Sequence, residues 1–228
     1  MITFIGADEL KKTYEVYANF YTFQQADGVK YLCRNVADIF KIGHRNVDPN
    51  SLPEALIIMM NPGKCEPKNA NFIIPEVSLK ELEVTSKSLP KVPSKADNAQ
   101  YQIMRLMELK NWNHVRIVNL SDIKNSNGDD FKALLKDLKF KDNKHTHSIF
   151  SNERSKERVN LLNIRDDAPI ILGWGIDKIL TELAIKCLSC IPLTKATGLN
   201  YSEILYYYPS PTLKSGKEKW LENILEII

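Results

Sequence analysis

Apolar residues along this chain gather into short runs that end abruptly in small or polar residues. Four stand out, at 55–61, 115–119, 168–173 and 203–209. They carry Leu56, Ile57 and Ile58; Val115, Ile117 and Val118; Ile170, Ile171 and Leu172; and Ile204 and Leu205. Short, almost uninterrupted apolar runs next to helix-forming sequence predict strands of a parallel sheet, buried on both faces. Ligands of such sheets sit beyond the carboxyl ends of the strands. On that reading Asn61, Pro62, Gly63, Asn119, Gly173, Trp174 and the turn at 208–211 line one crevice.

Elsewhere the periodicity is helical or breaks down. Residues 7–18 read as a helix on the spacing of Ala7, Leu10, Tyr14 and Tyr17. Residues 20–24 and 29–35 read as two strands turning at Asp27-Gly28, an antiparallel hairpin suited to the edge of the sheet. From 65 to 96 the chain holds Pro67, Pro75, Pro90 and Pro93 with weak periodicity, broken only by a short helix at 79–82. So long a connection next to a strand end reads as a lid or binding loop. Asp97 caps a helix over 98–111 whose apolar side is Ile103, Met104, Leu106 and Met107. Further helices are predicted from Asp129 or Asp130 through Leu138, over 152–164, from near Gly175 through Cys187, and from Gly216 to the end. Alternating strands and helices with right-handed crossovers give one α/β domain over 1–228, a three-layer α/β/α sandwich with a mostly parallel central sheet.

Composition narrows this little. The chain has 228 residues, 43% hydrophobic and 26% charged, ordinary for a packed domain. Its 31 basic and 28 acidic side chains leave +3, too weak a field to point to nucleic acid by itself. The lysine-rich stretch at 136–144, with Arg154, Lys156, Arg158 and Arg165 after it, reads as a solvated face or a local phosphate-binding patch. Cys187 and Cys190 have CxxC spacing, but no further ligand set accompanies them. Together with Cys33 and Cys65 they read as free thiols, and neither a metal nor a cofactor is expected. The first residues lack the basic and apolar regions of a signal peptide, and no apolar run can cross a bilayer, so a cytoplasmic location is expected. Oligomeric state leaves no trace in the sequence.

The strand ends carry the candidate chemistry. Asn61 offers a donor and an acceptor beside Pro62 and Gly63, and either orients a water or ties down its own turn. Asn119 closes an apolar strand with a carboxamide whose donor and acceptor match the edge of a nucleobase; a structural role fits equally. Gly173-Trp174-Gly175 allows close backbone approach and opens helix amides to an anion, with Trp174 either stacking on a ligand or covering the sheet. Tyr206, Tyr207 and Tyr208 precede Pro209-Ser210-Pro211, a rigid turn able to press Ser210 against a phosphate. Asp97, Arg105 and Asp122 are candidate supports. His145 and His147, in a lysine-rich loop, lack matched carboxylates for a metal. Lys64, Lys124, Lys214 and Lys217 are candidates for a positive rim.

In order and spacing, the segment from Gly28 to Arg34, Met60-Asn61-Pro62-Gly63, the stretch from Asp97 to Arg105, Val118-Asn119-Leu120, Gly173-Trp174-Gly175 and Tyr208-Pro209 resemble the bacterial and phage family called domain of unknown function 1643. More broadly, Asn61-Pro62-Gly63, Val118-Asn119-Leu120, Ile171-Leu172-Gly173 and Pro209-Ser210-Pro211 resemble the uracil-DNA glycosylase superfamily. That resemblance implies an α/β/α sandwich and base recognition with N-glycosylase chemistry on DNA or a nucleotide. It implies that Asn61 positions water, Asn119 contacts the base and Ser210 touches phosphate. The histidine expected before Pro209 is Tyr208, which takes the catalytic position beside Asn61. The alternatives are a non-catalytic nucleotide or nucleic-acid module and an enzyme acting on a small nucleoside.

Overall fold

The computed structural model describes residues 2–24, 28–48, 50–84, 89–141 and 144–228, the side chains of 83, 84 and 139–141 excepted. In chain order its elements are α1 (Ala7–Thr13), β1 (Tyr14–Ala18), β2 (Tyr21–Gln24), β3 (Lys30–Cys33), β4 (Ala37–Lys41), α2 (His44–Val47), β5 (Ala55–Met59), β6 (Glu66–Pro67), β7 (Glu76–Val77), α3 (Leu79–Val84), β8 (Val92–Lys95), α4 (Asn98–Lys110), β9 (His114–Asn119), α5 (Gly128–Lys141), α6 (Ser155–Leu161), β10 (Ile170–Leu172), α7 (Thr181–Leu188), β11 (Ala196–Thr197) and α8 (Lys214–Leu225).

The main sheet has the order β11-β10-β5-β9-β4-β1-β8-β6. From β11 to β9 its pairings are parallel; from β9 to β6 they are antiparallel. The sheet is therefore mixed rather than mostly parallel. Alternation along β5 shows why both faces are covered. Leu56 and Ile58 enter a core shared with α5, α6 and α7, whereas Ala55, Ile57 and Met59 enter a second core shared with α1, α4 and α8. This is an α/β sandwich, with helices on both sides of the sheet.

Four expectations are corrected. The predicted helix at 7–18 stops at Thr13, because Tyr14, Val16 and Ala18 are buried in alternation as β1. Pairing with β4 on one side and β8 on the other outweighs a helix that, at this length, has little stability of its own. The hairpin of β2 and β3 forms, but with β7 in a separate three-stranded sheet rather than on the main edge; Asp27 lies outside the described residues. The connection at 65–96 supplies β6 and β8 to the main sheet and β7 to the small one, so its described part is threaded into both sheets; 85–88 lie outside the described residues. Finally, 203–209 is no strand. Ala196–Thr197 takes the place beside β10, and Tyr206 only bridges Gly175 and Asn200. The chain leaves the sheet at Gly198, where a Cβ would lie 2.4 Å from the Leu172 carbonyl oxygen, and folds back across the end of β10.

Candidate functional site

Three strand ends meet as the sequence pattern requires. Met59 is paired with Asn119, the Ser121 amide donates to the Met60 carbonyl at 3.1 Å, and the Gly173 amide donates to Ile58 at 2.9 Å. The chain leaves β5 toward β9 on one side, then crosses to β10 and β11 on the other, so β5 and β10 flank a topological switch point. Over these ends lies the turn containing Tyr208 and Pro209. A Cβ on Gly173 would meet Pro209 Cδ at 2.8 Å, so only glycine lets this turn pack so closely.

Asn119 is fully buried, and neither its Oδ1 nor its Nδ2 has a hydrogen-bond partner. An amide taken from water without new partners is costly, at about 1–3 kcal/mol in protein data. Most buried polar atoms are paired, so this one calls for an explanation. Asn61 resolves differently. Its Nδ2 donates to the carbonyls of Pro62 (3.0 Å), Ile123 (3.3 Å) and Asn125 (2.9 Å), locking its own turn to the segment after β9. The structural role thus claims its donor. Its Oδ1 accepts no bond from the described residues.

Asp97 caps α4. Its Oδ1 accepts the Gln100 amide at 3.0 Å, and the Gln100 side chain accepts the Asp97 amide at 2.9 Å, a reciprocal capping box. The other oxygen, Oδ2, lies 3.0 Å from where a Gly63 Cβ would be, which brings the carboxylate against the Asn61-Pro62-Gly63 turn. Tyr208 is within electrostatic reach of Asp97 and Arg34. Burial is the main cause pushing its phenol above the usual range; Asp97 adds to this and Arg34 opposes it. Tyr208 is nevertheless 38% exposed and Asn61 and Gly63 are half-buried, so the cluster meets solvent on this side. Beside Asn61 runs an open groove of about 640 Å³ lined by Leu32, Lys64, Glu66, Lys124, Asn125 and Ser126.

Other expected residues have structural partners in the fold. Trp174 is fully buried, edge-on to Tyr206, and donates its indole N–H to Ile204 at 3.0 Å; it anchors the folded-back loop and cannot stack on a ligand. The amides after β10 do not form an anion site. That of Gly175 donates to Tyr206, and the following helical turn starts only at Lys178, where Asp177 caps it. Ser210 donates to the Asn98 carbonyl at 3.3 Å, tying the turn to the start of α4. Arg105 is buried, donates to Ile5 at 2.8 Å and stacks over Phe4, holding the amino-terminal segment. Lys64 and Lys124 share the groove. Lys214 stands on the first turn of α8, paired with Glu218, and Lys217 follows on the same helix.

Asp122 belongs to a buried network behind the cluster. It accepts from Tyr21 Oη at 2.6 Å and from Arg154 Nη1 at 2.5 Å, while Arg154 also binds both carboxylate oxygens of Glu157. Arg154 is fully buried rather than part of a solvated face. His145 pairs with Glu182 at 2.7 Å, and His147 Nδ1 faces Ser121 Oγ at 2.9 Å. Among the described residues no group of three His, Cys, Asp or Glu side chains is placed to hold a metal, and all four cysteines are free. No helix of the described residues is long and apolar enough to cross a membrane.

Sequence reasoning gave Arg34 no role beyond its place in a motif. Its backbone amide donates to Asp122 at 2.8 Å, and Cys33 bridges Ile123, which fixes it on the segment leaving β9. Its side chain is 1% exposed, and Nε and Nη1 have no acceptor. In comparisons with known proteins, the chain matches no family profile, no curated protein and no solved structure.

Proposed function

We propose that the strand-tip cluster recognises a nucleobase and hydrolyses the N-glycosidic bond joining it to its sugar. The observation that carries this reading is Asn119. A carboxamide on a rigid strand end, buried and without partners, has the donor and acceptor needed for a base edge. The α/β layering and the approach of the Pro209 turn to the end of β10 accord with the resemblance to uracil-DNA glycosylases.

The residues present suggest a division of roles. Asp97, held by its capping bonds, is a better proton acceptor than Asn61, because a carboxylate takes a proton that an amide does not. Water attacks the anomeric carbon while Asp97 accepts its proton. The carbon–nitrogen bond breaks with its electron pair going to the base. Tyr208, whose proton is held by burial, donates a hydrogen bond to the charge developing on that base. On this reading Tyr208 takes the part that the resemblance gives to histidine.

The test is release of free base from single- and double-stranded oligonucleotides carrying uracil or damaged bases, and from free nucleosides. Asp97→Asn keeps the helix cap, since asparagine caps as well as aspartate, yet removes the base; release should fall by about 10²–10⁴-fold with an unchanged melting temperature. A second reading, non-catalytic binding of a nucleotide or nucleic acid, is favoured by the engagement of Asn61 Nδ2 with three carbonyls. No release from any substrate, with base binding retained, would leave this second reading standing. Absence of binding removes both.

A further inference from the structure

Arg34 is the least expected side chain at the cluster. It ranks among the largest fully buried side chains, and two of its three nitrogens are sealed from solvent without an acceptor. Arginine cannot escape this situation by losing its proton. A buried cation is ordinarily paired, as Arg154 is with Asp122 and Glu157 in the same molecule. None of the ion pairs among the described residues includes Arg34. Asp97 reaches the same tyrosine, but its own two oxygens face Gln100 and Gly63.

Arg34 is held on the segment that begins at Asn119, because its backbone amide donates a hydrogen bond to the Asp122 backbone carbonyl. Two side chains with unpartnered buried atoms therefore stand at this end of the sheet, Asn119 closing β9 and Arg34 on the connection between β3 and β4, one neutral and bifunctional, the other cationic. Resting on the base-recognition reading, we infer that Arg34 receives an anionic oxygen of the ligand, so that the ligand is a nucleotide carrying a phosphate rather than a neutral nucleoside. Asn119 takes the base and Arg34 the phosphate. Charge-assisted hydrogen bonds from a guanidinium to phosphate are strong, and here they form away from competing water.

The experiment is calorimetric titration of the full chain with ribo- and deoxyribonucleoside 5′-monophosphates and the matching nucleosides, with thermal melting in inorganic phosphate alongside. The preferred monophosphate should bind at least about tenfold more tightly than its nucleoside, the factor expected for one charge-assisted bond. R34Q should bring the two within about twofold. Equal affinities in the wild type, or an unaltered ratio in R34Q, would overturn the inference. Should R34Q fail to fold, competition in the wild type decides. Inorganic phosphate should displace the monophosphate and leave the nucleoside bound; displacement of neither refutes the role. The two readings fail separately. If no nucleoside binds, yet phosphate raises the melting temperature of the wild type and not of R34Q, Arg34 stands and base recognition falls. If nucleosides bind and phosphate adds nothing, the reverse holds.

Discussion

Replacing Asn119 by leucine separates a ligand-reading amide from a structural one. The side chain is fully exposed to protein and not to water, with both polar atoms unpaired. Removing an unpaired buried amide recovers about 1–3 kcal/mol of desolvation. Leucine keeps the branch at Cγ but is larger, and fitting it beside the paired Met59 costs about 1–3 kcal/mol. The two largely offset, so the unliganded variant should lie within about 2 kcal/mol of the wild type, which at this chain length is within about 8 °C in melting temperature. Ligand binding should move the other way. Losing a two-point contact to a base costs about 1–3 kcal/mol, or roughly fivefold to 150-fold in affinity. Thermal and urea denaturation without ligand, followed by titration with the preferred nucleotide, measures both. A fall in melting temperature well beyond that range would mean that the folded protein itself uses this amide, and binding as tight as in the wild type would mean that the ligand does not; either refutes the reasoning.

Two further outcomes test the surroundings. Gly173→Ala puts a methyl group 2.8 Å from Pro209 Cδ, so the turn must move; stability should fall by about 1–3 kcal/mol, and nucleotide affinity with it, as read by denaturation and titration. Asp122, pushed up to about 6 by burial against the opposing influence of Arg154, binds its proton more tightly folded than unfolded, where the ordinary value is 3.8. Its ionisation thus weakens the fold progressively as pH rises from about 4 to about 6, and the weakening is complete above that. Asp38 works in the opposite sense and in another window. Its carboxyl is penalised by burial but held well below the usual range by Arg116, His114 and Lys91, so its contribution is present above pH 4 and lost only in stronger acid. Urea denaturation between pH 4 and 7 should show the Asp122 decline in the wild type and not in Asp122→Asn; an identical profile in both refutes the assignment.

The strands β5, β9 and β10 were legible because parallel strands covered on both faces need continuous apolar runs, and such runs occur nowhere else so cleanly. The cap at Asp97 was legible too, because its bonds reach only three residues along the chain. The antiparallel half of the sheet was not. The Tyr14 and Tyr17 spacing fits a helix while the Tyr14, Val16 and Ala18 alternation fits a strand, and only the partners supplied by β4 and β8 settle the matter. The aromatic run at 204–208 looked like a strand for its composition, yet two residues at 196–197 took that place in the sheet.

Local order thus sufficed to say that Asn61, Asn119 and Gly173 stand at one end of a sheet, since period and chain direction are properties of neighbouring residues. Whether each side chain is free was decided by contacts between distant segments. Asn61 lost its donor to carbonyls as far away as Asn125, Trp174 was sealed under the loop bearing Ile204, and Arg154 was drawn inside by Asp122. Arg34 kept its charge unpaired, a condition no one-dimensional pattern encodes, because burial and hydrogen bonding depend on everything that packs around a residue.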